Sequence, residues 1–171
     1  LIIIFFTLNC SPNKQLENKS IMMNESKNIS IQIMNLINIS RPISVSELEK
    51  ITGLQLIKAS EQSDASFHHY EGKNTSPNAD FSHVEFRQPN QKNSTKDGIV
   101  IATINTSKHK LTESIIIQKF DLPEFTPPDP RQQHNPMNYL SYPHNDGEIS
   151  FAVPTSGENK WLKKIIIDYS E

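Results

Sequence analysis

Cysteine, glycine, long apolar runs and an excess of either charge are all missing from this chain. A single cysteine, Cys10, among 171 residues excludes a disulfide framework, a Cys-ligated zinc site and an iron–sulfur cluster. Five glycines with neither a GxGxxG nor a Walker-type motif leave no phosphate-cradling loop. Lys and Arg number 17 and Asp and Glu 19, a formal net charge of −2. With no basic run longer than a pair of residues, and aromatics that are not interleaved with arginine, nucleic acid is not expected as a partner. The longest apolar run, Leu1–Leu8, is far short of the ~20 residues of a membrane-spanning helix. What is present is a lean but globular composition, 35% hydrophobic and 21% charged. This length suits one domain with tails, at ~100–200 residues per domain.

The amino terminus changes character abruptly. Leu1, Ile2, Ile3, Ile4, Phe5, Phe6, Thr7 and Leu8 are uncharged, Asn9 and Cys10 follow, and polar chain begins at Ser11. An apolar run of this length fits the hydrophobic part of an export signal, with its basic leader expected ahead of Leu1. Leu8-Asn9-Cys10, with Thr7 before it, resembles the lipobox of bacterial lipoproteins, although Asn9 stands where that family has a small residue. The resemblance implies cleavage before Cys10 and acylation of its sulfur and new amino group. It also implies that the chain is a lipoprotein of the cell envelope facing the periplasm, on the outer rather than the inner membrane. Two or more acyl chains hold a protein stably, each buried CH₂ adding ~0.8 kcal/mol. The expected organisation is an export signal at 1–9, a lipidated cysteine and flexible tether at 10–28, and one domain at 29–171. Within the tether, Ile21, Met22 and Met23 form the one apolar spot.

In the body, Ile29, Ile33, Leu36 and Ile37 recur at helical spacing, which predicts a helix at 29–38 ended by Arg41-Pro42. Ser44-Val45-Ser46-Glu47 reads as a capping box, with Ile43 stapling onto Leu48 and Gly53 at the left-handed C′ position. A helix at 45–52 follows. Strand signals then dominate: around Leu54–Ile57, Ser66–Glu71, Phe81–Gln88, Ile99–Thr106 after an Asp97-Gly98 turn, Glu113–Phe120, Glu148–Val153 and Trp161–Tyr169. The triplets Ile115–Ile117 and Ile165–Ile167 suggest central strands, or strands covered on both faces. The fold class is α+β, with one or two N-terminal helices packed on an antiparallel sheet of about five or six strands.

Residues 121–147 hold six of the eleven prolines and read as a long loop that cannot be an interior strand. Their aromatic residues are suited either to lidding the sheet or to an interface. The candidate binding residues are Phe125, Tyr139, Tyr142 and His144.

Chemistry is sparse. There is no GxSxG and no HExxH. His68 and His69 are adjacent, so on a strand they face opposite ways. His69 or His68 can meet His83 across neighbouring strands, with Glu85 on the face of His83. His144–Glu148 reads as a turn rather than a calcium loop. The expectation is therefore a non-catalytic protein-binding module without cofactor or metal, of the kind of a periplasmic immunity or inhibitor protein acting on a secreted effector. A structural or assembly lipoprotein of the outer membrane remains an alternative. So does an envelope hydrolase that draws a His/carboxylate set from His68, His69, His83, Glu85 or Asp146.

Overall fold

The computed structural model describes residues 29–60, 63, 66–90, 97–120, 124–126, 137–155 and 160–169. Helix α1 spans 29–37 and buries Ile29, Ile33, Leu36 and Ile37. That apolar stripe is the one its helical spacing predicts. Helix α2, Val45–Thr52, begins where its cap dictates. The Glu47 amide donates to Ser44 Oγ at 3.2 Å. Glu47 does not complete the box: its carboxylate reaches past Ser44 and accepts from the Ser40 amide at 3.4 Å. Gly53 ends the helix with φ 69°, and its amide bonds the Glu49 carbonyl, a left-handed position that costs a residue with a Cβ about 1 kcal/mol.

Among the described residues, eight strands form one antiparallel sheet: β1 (Ile57–Lys58), β2 (Phe67–Lys73), β3 (Phe81–Pro89), β4 (Gly98–Ile104), β5 (Glu124–Thr126), β6 (Met137–His144), β7 (Gly147–Pro154) and β8 (Lys164–Tyr169). Their order is β1-β2-β3-β4-β8-β7-β6-β5. The sheet is larger than the sequence suggests because part of the proline-rich stretch is strand after all. β6 pairs β7 from Met137↔Pro154 to His144↔Gly147, around a two-residue turn at Asn145 and Asp146. Asn145 takes φ 53°, which Asn tolerates better than most residues. Pro143 stands in this strand beyond Ser141, the last β6 residue whose β5 partner is among the described residues.

The segment Glu113–Phe120, read as a strand from its isoleucine triplet, is helix α3. Glu113 in its first turn and Lys119 in its last match the helix dipole. The Ile115 and Ile116 amides both bond the Thr112 carbonyl at 3.1 Å. Ile116 and Phe120, four apart, turn inward: Ile116 is buried and Phe120 stacks on Phe151 at 4.9 Å. Ile115 and Ile117 stay exposed. The β-branched preference for strands is weak and yields to this burial.

All three helices among the described residues lie on one face of the sheet. A single cluster joins Ile33, Leu36, Leu48 and Ile116 to Val84, Phe86, Val100, Ala102, Ile149, Phe151, Ile165 and Ile167. A register irregularity between Phe81 and His83 puts Phe81 on this buried face, where unbroken alternation would set it on the face of His83. Such a bulge adds one residue and resets the facing.

Candidate functional site

The face that carries no helix among the described residues is built by alternation. Register places His69, Arg87, Ile99 and Asp168 in one row across β2, β3, β4 and β8. Glu71, Glu85, Ile101 and Ile166 form the next row, and Lys73, His83, Thr103 and Lys164 the third. Ile99, Ile101 and Ile166 are half-buried, although a core strand normally keeps isoleucine inside. Toward β7 this face closes: Ser150 and Ala152 are buried, and Ser150 Oγ lies 2.6 Å from Ser141 Oγ and donates to Glu148 at 2.9 Å.

At the β2–β3 end the rows carry an ionic lattice. Glu71 and Glu85 are direct cross-strand partners, an unfavourable like-charge pair. Each has its own cation, Lys73 Nζ at 3.1 Å from Glu71 and Arg87 Nε at 2.6 Å from Glu85. Each also has a histidine at 3.8 Å, His83 Nε2 beside Glu71 and His69 Nδ1 beside Glu85. That separation is too long for a hydrogen bond, and both of those buried ring nitrogens lack a hydrogen-bond partner. Buried polar atoms without a partner are uncommon in folded chains, and two lie together on this face.

Two other charged clusters act as fastenings. Arg41 joins the α1–α2 connection to the far end of the sheet: its Nε donates to Asp97, its Nη1 to Asp146 at 3.3 Å, and its guanidinium lies 4.5 Å over the Tyr169 ring. These carboxylates, Asp97 first, push the Arg41 pKa up. Asp80 receives His109 Nε2 and Lys108 Nζ, both at 2.7 Å. Burial pushes the Asp80 carboxyl up, but hydrogen bonds from Lys108, His109 and Gln32 outweigh it and hold the pKa below the ordinary value. His109 is buried, and Asn105 Nδ2 donates to the Ser76, Pro77 and Ala79 carbonyls, so the β2–β3 and β4–α3 loops are locked together.

Of the residues expected to bind, Tyr142 and His144 are brought together and Tyr139 is set apart from them. Cys10 lies outside the described residues. Phe125 pairs Leu140 in the β5–β6 ladder; its side chain lies outside the described set. Tyr139 pairs Ala152 on the helix-free face. Tyr142 points the other way and stacks on Phe151 at 6.3 Å, and His144 meets it edge-on. Burial, then the neighbouring Tyr169, push the Tyr142 hydroxyl up to about 12. The aromatic patch is thus divided between two faces by strand alternation.

Of the hydrolase set, His69 and Glu85 do meet, whereas His68 lies on the opposite face and Asp146 at the β6–β7 turn beside Arg41. A cavity of about 400 Å³ lined in part by Lys73, Ser76, Ser82, His83, Asn105 and Ser107 takes only His83 from that set. A second, of about 330 Å³, takes only Asp146. No group of three His, Cys, Asp or Glu side chains among the described residues is placed to hold a metal. Sequence reasoning missed Glu71, although it stands two residues after His69 and so had to share its face. It also missed Arg41 and the Asp80–His109 pair, which sit in loops where no periodicity signals contact.

No family model, no curated protein and no solved structure matches this chain.

Proposed function

We propose that this protein is a lipid-anchored, non-catalytic protein-binding module of the bacterial envelope, an immunity or inhibitor protein that holds its partner on the helix-free face of the sheet. The single observation carrying this reading is the composition of that face. Ile99, Ile101 and Ile166 make an apolar centre, and His69, Arg87, Glu85, Glu71, Lys73, Lys164 and Asp168 make a charged rim. An apolar centre within a polar rim is the usual anatomy of a protein interface.

The neighbouring edge supports a face rather than an added strand as the mode of binding. The edge of β2 is covered: β1 pairs Tyr70 and Glu71, the Ala59 amide bonds the His69 carbonyl at 2.8 Å, and the His69 amide bonds Ser63 Oγ at 3.1 Å. An edge closed in this way resists pairing with another chain. Anchoring at Cys10 confines the module to a surface and raises its effective concentration there.

Two measurements test the reading. Mass spectrometry of the exported chain is expected to find Cys10 as the first residue, carrying acyl chains that Cys10→Ala lacks. Co-purification from envelope extracts is expected to recover one protein in fixed proportion. Ile101→Asp and Ile166→Asp then release it without unfolding the chain. A partner retained by both face variants, or an unmodified thiol at Cys10, overturns the corresponding half of the reading.

A further inference from the structure

We propose that the segment Ile21-Met22-Met23 docks into an apolar groove between α1 and the end of α3, shortening the tether. The groove, about 320 Å³, is lined by Ser30, Ile31, Met34, Asn35, Lys119 and Phe120. Ile31 is 59% and Met34 44% exposed. Their neighbours Ile29, Ile33 and Leu36 are fully buried, so the helix shows a second apolar strip beyond the one that serves the core. Lys119 Nζ donates to Ser30 Oγ at 2.5 Å. That bond fastens the two walls together and lays the apolar lysine stem along the groove.

Three features select this occupant. Residues 11–28 are polar apart from Leu16 and the run Ile21, Met22, Met23. Met23 stands six positions before Ile29, a stretch reaching up to about 20 Å when extended, enough to turn back over the first turn of α1. A joined segment also acts at an effective concentration on the order of millimolar, which no free chain matches. A second copy is a poorer fit: a stable interface takes ~20–30 residues a side, and six of the described residues line this groove. Methionine is flexible and polarisable, and adapts to an irregular apolar slot. The inference does not rest on acylation of Cys10. If the chain is anchored there, docking leaves only the stretch before Ile21 as free tether and holds the body nearer the bilayer.

The four methionines, Met22, Met23, Met34 and Met137, make the test direct. The full chain, with Cys10→Ser and Gln118→Cys, is labelled with ¹³C at the methionine methyls and with a nitroxide at position 118. The Met22 and Met23 signals are expected to lose intensity together with Met34 and to recover when the nitroxide is reduced. Ile31→Gln, at an exposed position that leaves the core intact, is expected to restore Met22 and Met23 while the Met34 loss persists. Full intensity at Met22 and Met23 in the parent chain overturns the proposal. So does a loss that Ile31→Gln leaves unchanged, or one that appears equally when the nitroxide and the ¹³C label are on different chains. That last outcome would reveal a second copy in the groove.

Discussion

The isoleucine triplet of β8 gives a sharp test of which face the helices cover. Ile165 and Ile167 are 0% and 1% exposed and belong to the core cluster. Ile166 lies between them in sequence but on the helix-free face, beside Ile101 and Ser150. Truncating a fully buried isoleucine to alanine removes its transfer energy and leaves a cavity, about 2–5 kcal/mol. At this chain length each kcal/mol lowers the melting temperature by about 2–4 °C. Ile165→Ala and Ile167→Ala are therefore expected to lower it by about 4–20 °C. A half-buried side chain forfeits part of the ~1.5–3 kcal/mol of full burial, so Ile166→Ala costs about 1 kcal/mol. Urea unfolding followed by circular dichroism reads the same ranking in its midpoints, with unchanged slopes. For binding, the proposed interface predicts the reverse ranking, because Ile166 lies on the helix-free face and Ile165 in the core. An Ile166→Ala loss equal to that of Ile165→Ala would show β8 covered on both faces, and the proposed interface would then be closed to a partner.

Other expectations follow from the same structure. In α3, Ile116→Ala is expected to cost about 2–5 kcal/mol, whereas Ile115→Gln and Ile117→Gln stay within about 0.5 kcal/mol; equal losses at alternate positions would restore the strand. Arg41→Ala removes two carboxylate contacts and a ring contact from a half-exposed guanidinium, and thermal melts should register about 1 kcal/mol, falling with salt. Asp80 has a folded pKa below its unfolded value, so the stability it contributes is present above about pH 4 and is lost as pH falls through the lower folded pKa. Melting temperature against pH is accordingly expected to separate wild type from Asp80→Asn at neutral pH and to bring them together below about pH 4; a constant gap would contradict the pairing with Lys108 and His109.

Much of this architecture could be read from residues that act locally. Helix α2 was legible because Ser44, Ile43, Leu48 and Gly53 each specify a boundary by short-range chemistry. β7 was legible because Ile149, Phe151 and Val153 alternate, and the second isoleucine triplet indeed occupies a central strand. Helix α3 was not, because Ile115–Ile117 carries strand propensity, and only the contact of Ile116 and Phe120 with the core, Phe120 against Phe151, decides otherwise. β6 was hidden by the prolines around it and by Pro143 within it, which argue against an interior strand. At the candidate site the meeting of His83 and His69 with carboxylates was foreseeable from alternation. The division of Tyr139 from Tyr142 followed from the same rule once β6 is a strand. The apolar centre at Ile99, Ile101 and Ile166 was not legible, since nothing in the sequence says which sheet face the helices leave open.

Site-resolved photo-crosslinking in living cells tests the binding face most directly. A photoreactive residue replaces Ile101 on the helix-free face, or Lys50 on the exposed side of α2. The expected result is one defined protein adduct from position 101, abolished by Ile166→Asp, and none from position 50. Adducts from position 50 alone, or from position 101 irrespective of Ile166, would contradict it.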